Sequence, residues 1–347
     1  MNATKHFVIT RIGLGIYNEA RLKKTIDLFE AVTLSSLANQ SSQAFSSLIV
    51  IDAHMPLGAR TRLNTLLANR QNFYLVPIDV TQLVHVRTGC FDWVWEICQD
   101  FILKNGLVDN PFDYIISSVL DADDAWNRNV VSSINGVFAQ RLPQLLPKEK
   151  VGDRSTWTSH SSGMAATFPH GYQWYIAANK IEKMTFPFHS MAVFVTSRFS
   201  SGISACSSRH SQWPEYAKIV EFEVGVSNIP SQMWIYGRHD EGTVGWNASQ
   251  SIPISSELET ELSATFGIDI EKVRQWRLSH SAGQNFQYPG QHTTRRQYDL
   301  IFRIAALNRK IRALRTGANP QGSSVSMTDE LTPCEIEREH LIEKLQG

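Results

Sequence analysis

Four short apolar runs rich in β-branched residues alternate with amphipathic stretches over the first 146 residues, and this alternation does most to limit the fold. The runs are HFVIT (His6 to Thr10), SSLIVID (Ser46 to Asp52), FYLVPIDV (Phe73 to Val80) and DYIISSVLDADD (Asp113 to Asp124). Their length and composition predict strands. Between the first two, Leu22, Ile26, Phe29, Leu34 and Leu37 recur close to helical spacing. Helices are also predicted around Arg60 to Asn69, from Phe91 to Lys104 with Asn110-Pro111 as a breaker, and from Val130 to Leu146. Strand and helix in turn predict an α/β fold with a mostly parallel sheet. Right-handed crossovers bring the carboxyl ends of such strands to one edge, where ligands bind. Asp52 and Asp121 each close a run and are expected at that edge.

The 347 residues carry 33 Lys+Arg against 33 Asp+Glu, a balance that argues against a protein built to grip nucleic acid. No apolar stretch is long enough for a spanning helix, and MNATKHFVITRIGLG lacks the apolar core of a signal peptide. Cys90, Cys98, Cys206 and Cys334 form no C-x-x-C pair, so a reducing cytoplasm is the expected compartment. The expected division is a main domain over 1–290, a basic amphipathic helix over 291–315, and a linker with a short acidic helical tail over 316–347. Residues 151–260 are rich in Ser, Trp, Phe and His and show no clean βα repeat. The aromatics there, Phe168, Tyr172 and Trp174 among them, suit either a core or a sugar-stacking wall, with core the commoner use.

Asp121-Ala122-Asp123-Asp124 carries the strongest chemical signal. If the strand continues through D-x-D, its period of two puts both carboxylates on one side. Such a pair suits Mg²⁺ or Mn²⁺, which can share a nucleotide diphosphate and neutralise it as a leaving group. The plainer reading is a cap on the following helix. Arg11 follows the first strand and suits either a phosphate or an ion pair. Gly13-x-Gly15 lacks the third glycine of a dinucleotide fingerprint. A dehalogenase-like phosphatase would carry its D-x-D on the first strand, with Thr or Val where this chain has Ala125.

HFVITR, the stretch RLKKTIDLFEAVTLSSLANQSSQAFSSLIVIDAHMP, and DYIISSVLDADDAWN together resemble the N-terminal half of a GT-A glycosyltransferase, in particular a bacterial rhamnosyltransferase family. FPHGYQWY and MWIYGRHD resemble later blocks of that family, so the likeness spans roughly residues 5 to 245. It implies a GT-A fold and metal-dependent transfer of a sugar, rhamnose by the family's label, from a nucleotide-sugar donor to a glycan or lipid-linked acceptor. A catalytically silent nucleotide- or glycan-binding module on the same fold is the alternative. By resemblance Asp52 faces base or ribose, Asp121 meets ribose or metal, and Asp123 is the main metal ligand; the plainer reading of Asp52 is a cap that closes the turn into His54-Met55-Pro56. His239 is the candidate ligand from the C-terminal half, ahead of His189 and His170. Asp240 and Asp124 are the candidate catalytic carboxylates, with Glu241 and Glu215 behind Asp240, because an attacking hydroxyl needs a base. The chain departs from the family in having Ser118-Val119 where a basic residue is expected.

Ile301, Ile304, Leu307, Ile311 and Leu314 fall near one face of the basic helix, flanked by Arg303, Arg309, Lys310, Arg312 and Arg315. That face suits either packing on the main domain or an anionic membrane surface holding a lipid-linked acceptor.

Overall fold

The structure is a computed structural model. It describes residues 4–84, 92–108, 114–145, 163–195, 204–207, 215, 223–226, 229, 231–239, 251–280, 291–316 and 327–346. Strands β1 (Thr4–Ile12), β2 (Ser46–Asp52), β3 (Phe73–Ile78) and β4 (Tyr114–Val119) pair in parallel in the order β3-β2-β1-β4. This is the expected α/β arrangement. Both faces of this half are covered, which is why its strands read as apolar runs and not as alternating ones. Phe7, Ile9, Leu48 and Val50 enter one core, and Val8, Ile12, Ile49 and Ile51 the opposite one.

The second half adds a long hairpin of β6 (Gly163–Tyr175) and β7 (Lys180–Val195), with β7 antiparallel to β4. Beyond it, β9 (Trp234–Arg238) runs parallel to β6, and the short β5 (Ala125–Trp126) pairs with β9. Short β8 (Glu223–Val226) and β10 (Ile252–Pro253) join β6 and β7 at the side. The segment between β4 and β5 is thereby clamped: β4 lies beside β1, and β5 is tied to β9.

Helix α1 (Glu19–Phe29) starts at Asn18, whose side chain accepts from Arg21 N. It continues through a π-helical turn, Glu30–Leu34, into α2 (Ser35–Ala38). Together with α3 (Leu57–Leu67) and α5 (Val130–Leu145) it covers one face of the sheet. Helix α4 (Asp92–Lys104) covers the other. Helices α6 (Ser256–Phe266) and α7 (Ile270–His280) pack against β6 and β9 in a third core with Tyr172, Trp174 and Ile235.

Helices α8 (Gln291–Arg315) and α9 (Met327–Gln346) lie on the α4 face. Ile301, Ile304, Ile311 and Leu314 of α8 are buried, so the protein's own interior takes up the apolar face that also suited lipid. The acidic tail does not stand apart: Leu341 and Leu345 of α9 enter the same core as Phe7 and Ile9. Its acids meet the basic helix, Arg303 with Glu337 at 3.0 Å and Arg315 with Glu335 at 2.6 Å. Residues 317–326, most of the expected linker, lie outside the described residues. No helix among the described residues is long and apolar enough to cross a membrane.

Candidate functional site

Asp121 to Asp124 do not extend β4. Asp124 N donates to Asp121 O at 3.1 Å, so the four residues form a turn, and the turn, not the strand pleat, sets the two carboxylates. The turn is gripped from below by the helix that carries T-L-S-S-L-A-N-Q. Thr33 Oγ1 donates to Asp124 O at 2.8 Å and also lies 3.1 Å from Asp121 O. Ser36 Oγ donates to Trp126 O at 2.9 Å and accepts from Trp126 N at 2.8 Å. Gln40 Nε2 donates to Asn127 O at 3.0 Å, and Gln40 Oε1 accepts from Val131 N at 3.2 Å. Positions 33, 36 and 40 share one helix face, and the π turn that carries Thr33 is the kind of irregularity that gathers at functional sites.

From the side, β9 closes on the turn. Gly237 N donates to Asp124 Oδ1 at 2.8 Å. A Cβ at Gly237 would lie 2.1 Å from Asp123 O, so the contact needs glycine. Asp124 is therefore buried and turned toward the backbone of β9. Burial first, and then the charges of Asp123 and Asp121, push its carboxyl well above the usual range.

The other two acids have different partners. Arg11 Nη2 donates to Asp121 Oδ1 at 2.6 Å. Burial alone would lower the Arg11 guanidinium; the adjoining carboxylate outweighs it and holds Arg11 above its ordinary value. The phenol of Tyr298 on α8 is raised by burial, with the charge of Arg11 pulling it down and that of Asp121 pushing it up. Asp123 Oδ2 stands 3.2 Å from His239 Nε2. The His239 ring meets Trp276 of α7 edge-on at 6.2 Å, and Trp276 Nε1 is held by Lys24 O. Arg238 lies over the Tyr236 ring, 3.8 Å from its centre.

Asp52 sits elsewhere than at an open edge. It is fully buried and accepts from His54 N at 2.8 Å, Tyr17 hydroxyl at 2.9 Å and Gly15 N at 3.1 Å. Burial pushes its carboxyl up against the pull of these donors. This is the turn-closing role, extended to the loop after β1. What faces outward at the ends of β2 and β3 is the pair His54 and Asp79, 3.2 Å apart.

The sequence-named residues thus fall into two groups. Arg11, Asp121, Asp123, Asp124 and His239 converge, while Asp52 lies in the neighbouring strand-end network. Asp240 and Glu241 are outside the described residues, and Glu215 is exposed. His170 pairs with Thr185 at 3.3 Å, and the side chain of His189 is outside the described residues. Ser118, where a basic residue was expected, accepts or donates within 2.9 Å of His6 Nε2; the cation facing Asp121 comes from β1 as Arg11. Thr33, Ser36, Gln40 and Gly237 were not singled out. The first three were visible as regularly spaced polar positions within T-L-S-S-L-A-N-Q.

A family model described as putative rhamnosyl transferase matches residues 11–250. The chain belongs to that family. It is a glycosyltransferase, with a mixed α/β fold whose parallel strands are flanked by helices. Residues 291–346 of the C-terminal helices fall outside the matched segment. No curated protein matches the glycosyltransferase. Among solved structures, TarS 1–349 of S. aureus in complex with UDP is similar at 9% identity over 99% of this chain and 90% of that one, with a TM-score of 0.37. A nucleoside-diphosphate-sugar pyrophosphorylase from Vibrio cholerae RC9 is similar at 13% identity over 78% and 99%, with a TM-score of 0.30.

Proposed function

We propose that this glycosyltransferase is metal-dependent and moves a sugar, rhamnose by the family's description, from a nucleotide-sugar donor to a glycan or lipid-linked acceptor. The observation that carries the reading is the meeting of Asp123 and His239 at 3.2 Å, beside the Arg11–Asp121 pair. Two ligand atoms on adjacent positions of an octahedral ion with bonds of about 2.1 Å stand about 3 Å apart, so the spacing fits. Among the described residues no three His, Cys, Asp or Glu side chains gather into a cage. A site of two protein ligands leaves room for water and diphosphate oxygens, the way Mg²⁺ is commonly held. The imidazole favours Mn²⁺ over Mg²⁺. When bound, the ion supplies charge that stabilises the departing nucleoside diphosphate.

The chain's own residues do the rest. Arg11 fixes the Asp121 carboxylate at the carboxyl edge of the sheet, where a sugar hydroxyl of the donor is proposed to meet it. Asp124 holds the turn to β9 so that Asp123 and His239 keep their spacing. Asp240, next in sequence to His239, is proposed as the base that takes the acceptor's hydroxyl proton. A screen of UDP-, dTDP- and GDP-sugars with Mn²⁺, read by released nucleoside diphosphate, tests the proposal; UDP is included because TarS holds it. Turnover of one donor class, abolished by EDTA and by Asp123→Ala in a folded variant, is the expected result. A fully active Asp123→Ala enzyme would remove the metal from the mechanism.

A further inference from the structure

Helix α8 lies beyond the segment that defines the family, yet one of its faces reaches several loops at the carboxyl edge of the sheet. Tyr298, Ile301 and Asn308 follow one another at spacings of three and seven, which places them on one side of a helix. Tyr298 is near enough to Arg11 and Asp121, at the ends of β1 and β4, for their charges to act on its phenol. Ile301 closes on Gly15, where a Cβ would lie a tight 3.0 Å from Ile301 Cδ1; the φ of 69° at Gly15 is what favours glycine there. Asn308 Nδ2 donates to Thr81 O and to Leu83 O, both at 2.8 Å, in the loop after β3.

The Asn308 contact starts an unbroken series of polar contacts. Thr81 donates to Asp79 Oδ1 from its backbone N at 2.9 Å and from its hydroxyl at 2.6 Å. Asp79 Oδ2 meets His54 Nε2 at 3.2 Å, and His54 N donates to Asp52 Oδ1 at 2.8 Å. Asp52 in turn holds Gly15 N and the Tyr17 hydroxyl. The series crosses the ends of β3, β2 and β1 and returns to the loop on which Ile301 presses.

We infer that α8 is a working part of the donor site and that Asn308 is a positioning residue for nucleotide binding. It acts through the Thr81–Asp79–His54–Asp52 series without touching the donor. The inference rests on the proposed donor site at this edge. Edge loops fixed before binding cost less ordering when a nucleotide arrives, so loosening them should weaken affinity and leave turnover at saturation alone.

The test uses the full chain and titrates UDP, dTDP and GDP calorimetrically in the presence of Mn²⁺. For whichever nucleotide the wild type binds, Asn308→Ala should weaken Kd about threefold to tenfold, the worth of a hydrogen-bond contact. kcat at saturating donor should be retained. Thr81→Val should do the same, and the double variant should bind no worse than the weaker single variant, because both break one series. A role in stability alone would lower the melting temperature and leave Kd unchanged. Hydrogen exchange on the wild type gives a measurement free of any folding defect: the nucleotide should slow amide exchange in 298–308 together with 79–83. If the wild type binds none of the three nucleotides, the donor-site reading falls and takes this one with it. If it binds one and Asn308→Ala binds it equally well, or the two substitutions add, or exchange in 298–308 is unmoved, only the present inference falls.

Discussion

Asp123 Oδ2 and His239 Nε2 stand 3.2 Å apart although one follows the parallel half of the sheet and the other follows β9. Gly237 makes the approach possible by letting the two backbones touch, and Asp124 fastens them through Gly237 N. The pair is thus a product of the sheet's two halves meeting, not of either one alone.

If this pair holds the ion, His239→Ala should weaken Mn²⁺ affinity by at least the roughly 10–100-fold that losing an outer-shell partner costs. Calorimetric titration of Mn²⁺ with UDP present measures it. An unchanged affinity would leave His239 as a hydrogen-bond partner of Asp123 and nothing more.

Substituting Gly237 probes the contact between the halves. Gly237→Ala places a methyl 2.1 Å from Asp123 O, so the turn must shift. Overpacking of this kind costs about 1–3 kcal/mol, and the shift displaces Asp123 as well. The variant should melt somewhat lower and lose most of its donor turnover; full activity would show that the spacing of Asp123 and His239 does not matter.

Asp52→Ala should act on stability more than on chemistry. The change strands Gly15 N, the Tyr17 hydroxyl and His54 N, at a cost of about 1–3 kcal/mol for each that water cannot reach. Urea unfolding should register the loss. Because Asp52 also belongs to the series that starts at Asn308, nucleotide affinity should fall together with stability; a variant of wild-type stability would show that the three donors find other partners.

His6 gives a pH signature. It is buried between Ser118 and Asn135, and burial lowers its pKa from 6.5 to about 3 despite the hydrogen bond that Asn135 Oδ1 accepts from His6 Nδ1. The folded protein therefore keeps the ring neutral while the unfolded chain takes up a proton below 6.5. The stability this confers is complete above pH 6.5 and is lost as pH falls toward about 3. Melting curves of the wild type and His6→Gln should diverge in slope across that window and run parallel above it. Equal slopes would mean that His6 is protonated in the fold.

How much the amino-acid pattern disclosed depended on the range of the interaction. The parallel strands and their helices were legible because each buries a run of neighbouring apolar residues. The β6–β7 hairpin was not, since β7 carries Lys180, Glu182, Lys183 and Pro187, residues that argue against a central strand. The acids of the site announced themselves, but their partners did not. Arg11 reaches Asp121 across 110 positions and Gly237 reaches Asp124 across 113, and no local spacing encodes such pairings. Asp52 was legible as an edge residue with two readings, donor contact or turn cap, and the choice depended on donors from Gly15 and Tyr17 that lie 37 and 35 positions away.

The contact of Gly15 with Leu345 has a consequence for how the protein is made. Residues from the first strand and the last described helix share one core, so the face of β1 to β4 that carries Phe7, Ile9, Leu48 and Val50 has its final cover only after α9 has left the ribosome. Until then a broad apolar surface waits in water, the condition under which nascent chains aggregate or engage chaperones. Translation slowed within 291–346 would lengthen that wait, and yield of soluble protein should respond to it before specific activity does.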